Sequence, residues 1–216
     1  MDSQPLSVIE LFQSQGCSSC PPTETNLHAL FLQPNLKLLL LTYDVTYWDH
    51  LGWTDTFGNK LWDQRQRAYA AKWGKRSVYT PQVVVDGVAD GVGSGKNEVQ
   101  DIVARAKRER TQLKEKVKIV FEGSEMIISG EAVDIVIYDV LLVVFDPREQ
   151  RVEVTRGENR GRTLTHWNLV KEITRIAEWT GGESRIGIPG KRNVGLGRAV
   201  ILQDGFGGAI LAAHMA

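Results

Sequence analysis

The feature that most constrains the fold is a pair of cysteines between a strand-like segment and a helix start. Cys17 and Cys20 follow the apolar run at 7–12 and precede Pro21. A proline fits the first turn of a helix, where its missing N–H would have no partner. Because the two cysteines lie so close in sequence, they cannot cross-link distant parts of the chain. The chain must therefore fold around a hydrophobic core, and 216 residues with 42% apolar composition are enough to build one.

This position favours redox chemistry at the cysteines. The N–H groups and the dipole at a helix N-terminus stabilise negative charge and so lower the pKa of Cys17. Cys20, one turn further on, would attack a mixed disulfide formed on Cys17. Two alternatives stay open: a half-site for a soft metal such as Cu(I), and two thiols without a chemical role. A zinc site would need two more ligands, and the four histidines are dispersed, so we expect no metal and no cofactor.

The first half of the chain alternates strand-like and helix-like segments. Its predicted strands lie at 7–12, 36–43, 82–85 and 88–92. Its predicted helices begin at Pro21 and at residues 60 and 98, and the last two end at residues 73 and 113. A strand, a crossover helix and a second strand favour a right-handed parallel βαβ unit. We therefore expect an α/β domain over residues 5–113.

The second half predicts an antiparallel, β-rich domain with one helix. Its predicted strands lie at 117–121, 125–129, 133–145, 151–155, 199–203 and 209–213. Apolar residues at helical spacing predict a helix over 165–179. The glycine-rich stretch 181–197 predicts a long surface loop or lid. We expect a boundary near 112–116 and a C-terminal domain, residues 114–216, that covers or flanks the cysteines.

A second motif, Val78-Tyr79-Thr80-Pro81-Gln82, stands directly before a predicted strand. A proline here is compatible with a cis peptide bond or with a trans bond on an edge strand. The order of a strand, a CxxC-Pro at a helix start, a strand and a helix, then Thr-Pro before a hairpin and a last helix, resembles the thioredoxin fold. In that family the residue before the cis-proline lies beside the CxxC and binds substrate backbone. The resemblance implies that Thr80 and Pro81 lie next to Cys17.

The chain is also similar to one uncharacterised thioredoxin-like family, the domain-of-unknown-function family number 1223. The shared segments span both halves of the chain, at residues 10–22, 47–53, 65–69, 78–82 and 156–165. This chain departs from the bacterial pattern, which has His and Asp where Asp44 and Thr46 stand here, so an acid–base role there is not carried over. Bacterial members are often exported, whereas the N-terminal residues here predict no signal sequence.

Aromatic residues after the second predicted strand form a candidate substrate site. Tyr47, Trp48 and Trp53 follow that strand at the edge where α/β sheets bind ligands. They would either wall a groove beside the cysteines or pack the junction with the C-terminal domain. Asp49 and His50 in this loop would either assist proton transfer to Cys20 or form a surface pair.

Three arginines within seven residues form another candidate site. Arg156, Arg160 and Arg162 could recognise an anionic group through bidentate hydrogen bonds, and we take Arg156 and Arg162 as candidate substrate-binding residues. The alternative is a charged loop that packs the two domains together, with Glu158 paired to one arginine.

Composition and charge exclude several classes of protein. The 26 basic and 26 acidic residues balance, so the basic excess of a nucleic-acid-binding protein is missing. The longest apolar runs are far shorter than the ~20 residues of a membrane-spanning helix. The N-terminus has no basic segment and no long apolar stretch, so we expect a cytoplasmic protein without membrane contact. A neutral surface favours neither a monomer nor an assembly.

These features together predict a thiol–disulfide oxidoreductase. Cys17 would be the attacking thiolate, Cys20 the resolving thiol, and the substrate a thiol or disulfide of a protein or a small molecule. An external reductant is a further candidate partner. Two other hypotheses are an enzyme that uses the single Cys17 thiolate on a small molecule and a soft-metal-binding module.

Overall fold

Three helices and three sheets make up the mixed α/β fold of the computed structural model, which describes residues 6–34, 36–113, 116–123, 125–131, 136–191 and 193–216. The helices are α1 (Cys20–Phe31), α2 (Lys60–Lys72) and α3 (Lys96–Gln112), and a short 3-10 helix spans Asp49–Leu51. The strands are β1 (Ser7–Gln13), β2 (Leu38–Asp44), β3 (Gln82–Val85), β4 (Ala89–Gly91), β5 (Lys116–Glu122), β6 (Glu125–Glu131), β7 (Tyr138–Asp146), β8 (Gln150–Glu153), β9 (Thr163–His166), β10 (Leu169–Trp179), β11 (Ser184–Gly187), β12 (Gly197–Gln203) and β13 (Ile210–Met215).

Both halves of the chain contribute strands to one eight-stranded sheet, in the order β13-β12-β7-β10-β2-β1-β3-β4. β1 pairs with β2 in parallel, as the predicted βαβ unit requires, and β10 pairs with β2 in parallel at Leu169 and Thr42. All other neighbours in this sheet are antiparallel. The predicted domain boundary between residues 113 and 114 therefore does not separate two sheets. The organisation of the chain into two domains stays a prediction. Residues 114 and 115 lie outside the described residues.

The eight-stranded sheet curves until its two ends meet. The backbone N–H of Ile210 in β13 donates to the carbonyl of Asp86, at the turn between β3 and β4, over 2.8 Å. Gly87 at this turn has φ +66°, and a Cβ there would lie 2.1 Å from the carbonyl oxygen of Gly208. Only glycine allows this approach. The curved face encloses α2, whose Trp62 and Tyr69 are buried among side chains from both halves.

The opposite face is covered by two different layers. Helices α1 and α3 cover β1–β4 through apolar side chains such as Leu27 and Ile102. The small sheet β11-β6-β5 covers β7 and β12, with Met126 and Ile128 fully buried beneath it. Because β1 and β2 are covered on both faces, their side chains are almost all buried, which explains why both strands have near-continuous apolar sequences.

The helix predicted over 165–179 is wrong, because this segment contains strand β10, paired with β7 over nine residue pairs. Bulges between Val170 and Glu172 and between Arg175 and Ala177 each interrupt the alternation of the side chains. The interrupted alternation places apolar residues at spacings that imitate a helical period. No helix lies among the described residues of the second half.

The long loop predicted over 181–197 is also wrong in part, since β11 lies within it and pairs with β6. Arg192 in this stretch, and the first part of the strand predicted over 133–145, at 133–135, lie outside the described residues. The three helices of the first half and the hairpin after Pro81 are confirmed to within a few residues. Among the described residues, no helix is both long and apolar enough to cross a membrane.

Candidate functional site

The topology brings the CxxC motif and the Thr-Pro motif to one edge of the sheet. Phe12 in β1 pairs with Tyr43 in β2 and with Gln82 in β3. The carboxyl ends of β1 and β2 therefore lie beside the amino end of β3. Cys17 follows the first of these ends, and Thr80 and Pro81 precede the start of β3. As a result, Cys17 Sγ lies 3.6 Å from the carbonyl oxygen of Thr80.

The two cysteines are free thiols at the start of α1. Cys20 is the first residue of the helix, and the N-cap residue Ser19 makes no side-chain capping bond. The Ser19 hydroxyl lies instead 3.3 Å from Cys17 Sγ. Cys17 is 3% exposed and Cys20 is 2% exposed. Both sulfurs are therefore largely shielded from bulk water.

The surroundings separate the pKa values of the two thiols. A hydrogen bond from the Cys20 thiol lowers the pKa of Cys17 to about 6; burial opposes this, and the hydroxyls of Ser19 and Thr80 add to it. Burial, followed by the same bond to Cys17, raises the pKa of Cys20 well above its ordinary value. At neutral pH Cys17 is therefore the thiolate and Cys20 the thiol.

Trp48 contacts the site through Thr80. The Thr80–Pro81 peptide bond is cis, as the resemblance to the thioredoxin fold implies, and Pro81 is buried. The indole N–H of Trp48 donates to Thr80 Oγ1 over 2.7 Å. Because this bond occupies an acceptor position of the hydroxyl, the Thr80 hydrogen is available to the Cys17 sulfur. The Trp48 side chain also packs on the cysteine loop, the segment 14–19 between β1 and α1. A Cβ on Gly16 in this loop would lie 3.2 Å from Trp48 Cβ.

The other two aromatic residues of the loop make no hydrogen bond to Thr80 or to a cysteine among the described residues. Tyr47 packs against the core enclosed by the curved sheet, and burial raises the pKa of its hydroxyl. Trp53 donates from its indole N–H to Gln15 Oε1 over 2.9 Å and so supports the chain before Cys17. Asp49 accepts from the N–H of Asp55, and His50 Nδ1 lies 2.9 Å from the carbonyl of Tyr47. Asp49 and His50 thus contact their own loop.

The β8–β9 hairpin folds its tip over the cysteine loop. Asn159, which is fully buried, donates from Nδ2 to the carbonyls of Gln15 and Cys17, each over 2.9 Å. Glu158 accepts from the N–H and the hydroxyl of Ser18 at 3.2 and 2.8 Å. The hairpin therefore holds the cysteine loop by its main chain. Nothing in the sequence shows which loop Asn159 meets, so its contact with the cysteines could not be predicted.

Of the two candidate arginines, the structure brings Arg162 toward the cysteines. Its guanidinium donates to Asn159 Oδ1 over 3.0 Å, and Asn159 bonds the Cys17 carbonyl. Arg156 is exposed and makes no hydrogen bond or ion pair with any residue that the structure describes. Glu158 bonds Ser18 and pairs with no arginine among the described residues, so that predicted pairing is wrong, although the loop does pack against the first half as the alternative proposes.

A network around Asp90 supports the Thr-Pro segment and was also missed from the sequence. The Asp90 carboxylate accepts from Lys75 Nζ, from the Tyr79 hydroxyl and from Gln82 Nε2, at 2.7 to 2.8 Å. Burial alone would raise the pKa of Asp90, but these hydrogen bonds outweigh it and hold the pKa below its ordinary value. Gln66 from α2 donates to the Tyr79 carbonyl over 2.7 Å. Both flanks of Thr80 and Pro81 are thus fixed.

A buried ionisable cluster lies beneath the helix start. Glu24 stands four residues after Cys20 on α1, and its carboxylate lies 2.9 Å from His166 Nδ1. Burial would lower the pKa of His166, but the bond to Glu24 and the nearby carboxyls raise it to about 9. Burial, together with the charge of Asp55, raises the pKa of Asp44 well above its ordinary value. Among the described residues, no group of three or more His, Cys, Asp or Glu side chains is arranged to hold a metal ion.

We expect the free energy of unfolding to fall as the pH rises from about 6.5 to about 9, because of His166. The pKa of His166 is higher in the folded chain than in the unfolded chain. Its protonation therefore stabilises the fold fully below the unfolded pKa, and this stabilisation is lost as the pH rises through the folded pKa. The contribution is about 3 kcal/mol at most. Urea unfolding at pH 6, 7.5 and 9 should show a smaller fall for His166→Gln. The exposed His214→Gln should behave as the parent, and parallel pH profiles for parent and His166→Gln would contradict the assignment.

Comparison with known proteins gives the family of the chain. No curated protein sequence matches it significantly. The X-ray crystal structure of protein AGR_C_4864 from Agrobacterium tumefaciens is similar, with a TM-score of 0.75 and 30% sequence identity, over 99% of this chain and 95% of that chain. The family model described as "Protein of unknown function (DUF1223)" matches residues 8–203. The chain therefore belongs to the DUF1223 family.

Proposed function

We propose that this chain is a cytoplasmic thiol–disulfide oxidoreductase whose first half is thioredoxin-like. The observation that carries the proposal is a pair of free thiols within one turn of chain at the start of α1, beside Thr80, in surroundings that shift their pKa values in opposite directions. The pKa of Cys17 is lowered to about 6, while that of Cys20 is raised. A nucleophile that is ionised at neutral pH, beside a second thiol that stays protonated, is what a dithiol–disulfide cycle needs.

In the first step the Cys17 thiolate attacks one sulfur of a substrate disulfide. A bond forms between Cys17 Sγ and that sulfur, and the substrate S–S bond breaks with its electron pair leaving on the second sulfur. Deprotonated Cys17 cannot donate to the Thr80 carbonyl 3.6 Å away, whereas the hydroxyls of Ser19 and Thr80 can donate to its sulfur. The thiolate is thus held in place before the substrate arrives.

In the second step Cys20 resolves the mixed disulfide. Its sulfur attacks Cys17 Sγ, its proton passes to a departing thiolate, and a Cys17–Cys20 disulfide forms. The two thiols lose two electrons in total, and the substrate gains them as two thiols. Once Cys17 is in a mixed disulfide, its negative charge no longer opposes ionisation of Cys20, which makes the second thiol easier to deprotonate. An external thiol or dithiol would return the protein to its reduced form.

The second half of the chain shapes the site in this proposal. Asn159 fixes the main chain on both sides of Gly16 through the carbonyls of Gln15 and Cys17. Glu158 holds Ser18, which lies between the two cysteines. The β8–β9 hairpin would thereby restrict which substrates reach Cys17, a role that a domain of the first half alone would not supply.

Alkylation as a function of pH tests the proposal. The rate at which iodoacetamide modifies Cys17 should rise through a midpoint near pH 6, whereas Cys20 should stay unmodified until the chain unfolds. Equilibration in thiol–disulfide buffers should then give a reversible Cys17–Cys20 disulfide, detected by mass. A Cys17 midpoint near that of a free thiol, about 8.5, together with no reversible disulfide, would overturn the assignment.

Substitutions at Trp48 and Thr80 test whether their hydrogen bond lowers the pKa of Cys17 or whether the two side chains only pack beside it. Trp48→Phe and Thr80→Val should each raise the alkylation midpoint of Cys17 by about half a unit, because the thiolate loses the support of the Thr80 hydroxyl. Thr80→Ser keeps the hydroxyl and should restore the parent midpoint. Trp53→Phe is the matched aromatic control, since Trp53 bonds Gln15 and not Thr80.

A further inference from the structure

We propose that the substrate of this site is a small disulfide that carries carboxylate groups. The inference rests on the proposed oxidoreductase function and adds the size and the charge of the substrate to it. Two independent sets of observations lead to it: how deeply Cys17 is covered, and which charged side chains of the adjoining hairpin form no ion pair.

The cover over Cys17 limits the size of the substrate. The residue is only 3% exposed, although the next two residues, Ser18 and Ser19, are exposed. Asn159 bonds the carbonyl of Cys17 and Glu158 bonds Ser18, so the hairpin tip lies against the cysteine loop. A disulfide held in the surface of a folded protein is flanked by its own chain and would not easily reach a sulfur that is covered to this extent. A low-molecular-mass disulfide needs a much smaller opening.

The hairpin tip carries an excess of positive charge. Residues 156–162 contain three arginines and a single acidic residue, Glu158. All three arginines are exposed, and none forms an ion pair within the described chain. Arg162 bonds Asn159, which bonds the carbonyl of Cys17, so two hydrogen bonds connect this guanidinium to the residue that would attack the substrate.

Among the described residues, no carboxylate forms an ion pair with these three arginines, so the hairpin tip keeps its excess of positive charge. Guanidinium groups without a carboxylate partner, on a hairpin that contacts the cysteine loop, attract an anionic substrate and orient it by bidentate hydrogen bonds to carboxylates. They also offset the repulsion between that substrate and the Cys17 thiolate.

The chemistry of this substrate follows the two steps above. The Cys17 thiolate displaces one acidic thiol from the disulfide, and Cys20 then displaces the second, so that one protein dithiol reduces one disulfide to two thiols. The protein itself supplies both electrons in a single turnover. No further reductant is needed for the measurement that tests the inference.

Three dialkyl disulfides that differ in charge provide the test. Reduced protein is mixed with dithiodipropionate, hydroxyethyl disulfide or cystamine, which are dianionic, neutral and dicationic, and formation of the Cys17–Cys20 disulfide is followed by mass. Each rate is divided by the rate of the same disulfide with dithiothreitol, which removes differences in leaving-group reactivity. We expect the normalised rate of dithiodipropionate to exceed that of cystamine by about tenfold at low salt, and added salt to reduce the ratio.

Charge variants identify the residues responsible. Arg156→Gln and Arg162→Gln should each lower the preference for dithiodipropionate about threefold. Glu158→Gln should raise it, because it removes the only acidic group of the tip while keeping an oxygen that accepts from Ser18. Arg108→Gln on α3, an exposed arginine of the first half, is the matched control and should leave the preference unchanged.

The outcomes separate the inference from the proposed function. If all three disulfides oxidise the protein and cystamine is as fast as dithiodipropionate, the charge inference is wrong while the oxidoreductase function stands. If insulin, a protein disulfide substrate, is reduced with a normalised rate equal to that of the small disulfides, the size inference is wrong. If no disulfide forms the Cys17–Cys20 bond, the proposed function itself is overturned.

Discussion

Cys17→Ser is expected to abolish disulfide reduction, with a rate at least about a thousandfold below that of the parent, whereas Cys20→Ser should still react once and then stop. The difference follows from the two pKa values. Cys17 is the thiolate at neutral pH, so without it no side chain at the site is ionised and nucleophilic. Cys20 remains protonated, and burial keeps it from replacing Cys17 as the attacking group.

The stalled product makes this prediction specific. Cys20→Ser should accumulate a mixed disulfide between Cys17 and half of the substrate, with one equivalent of thiol released per chain. Mass spectrometry under non-reducing conditions measures both quantities. In the parent the same species should be short-lived, because Cys20 lies within the same turn of chain and attacks it.

The same pair of variants decides between the dithiol cycle and the single-thiolate hypothesis. Continued multiple turnover by Cys20→Ser on a small molecule would show that Cys17 acts without a resolving thiol. Ser18→Ala provides the control between the two cysteines, since it loses one hydrogen bond to Glu158 but no sulfur. It should retain the cycle.

The part of the site that depends on local sequence could be predicted. Strand β1, the cysteine turn and α1 are consecutive, so the signals for their order lie within about 25 residues and are not altered by distant contacts. The position of Thr80 beside Cys17 came from the resemblance, and the pairing of Phe12 with Gln82 accounts for it. Local patterns plus one strand pairing therefore describe the centre of the site.

The parts that depend on distant contacts could not be predicted. Asn159 meets a loop more than 140 residues away in sequence, and the contact exists only because β7 and β10 carry the hairpin between them to the edge of the sheet. The helix predicted over 165–179 is wrong because the two bulges of β10 break the alternation on which strand prediction relies. Both failures concern how the second half joins the first half in one sheet.

A buried ion pair lies where the two halves of the chain meet, and breaking it should lower the free energy of unfolding more than breaking an exposed pair. Arg65 of α2 and Glu10 of β1 are both 0% exposed, and Arg65 Nε lies 2.6 Å from Glu10 Oε1. The guanidinium also donates to the Phe206 carbonyl at 3.0 Å and to Gln203 Oε1 at 3.1 Å. One side chain of the first half thereby satisfies two acceptors from the second half.

Arg65→Met should lower the free energy of unfolding by about 3 to 5 kcal/mol, measured by urea unfolding, because it leaves a buried carboxylate without its counter-ion. The surface variant Arg151→Met, which breaks an exposed pair with Glu149, should change it by less than about 1 kcal/mol.

The double variant Glu10→Leu/Arg65→Met shows whether charge or packing causes the loss. It removes both charges and keeps apolar volume, so it should be clearly more stable than Arg65→Met alone even though it carries one more substitution. If the double variant is less stable than the single one, the cost comes from lost packing and from the acceptors left at Phe206 and Gln203. The pair would then act mainly as a hydrogen-bonded link between the two halves of the sheet.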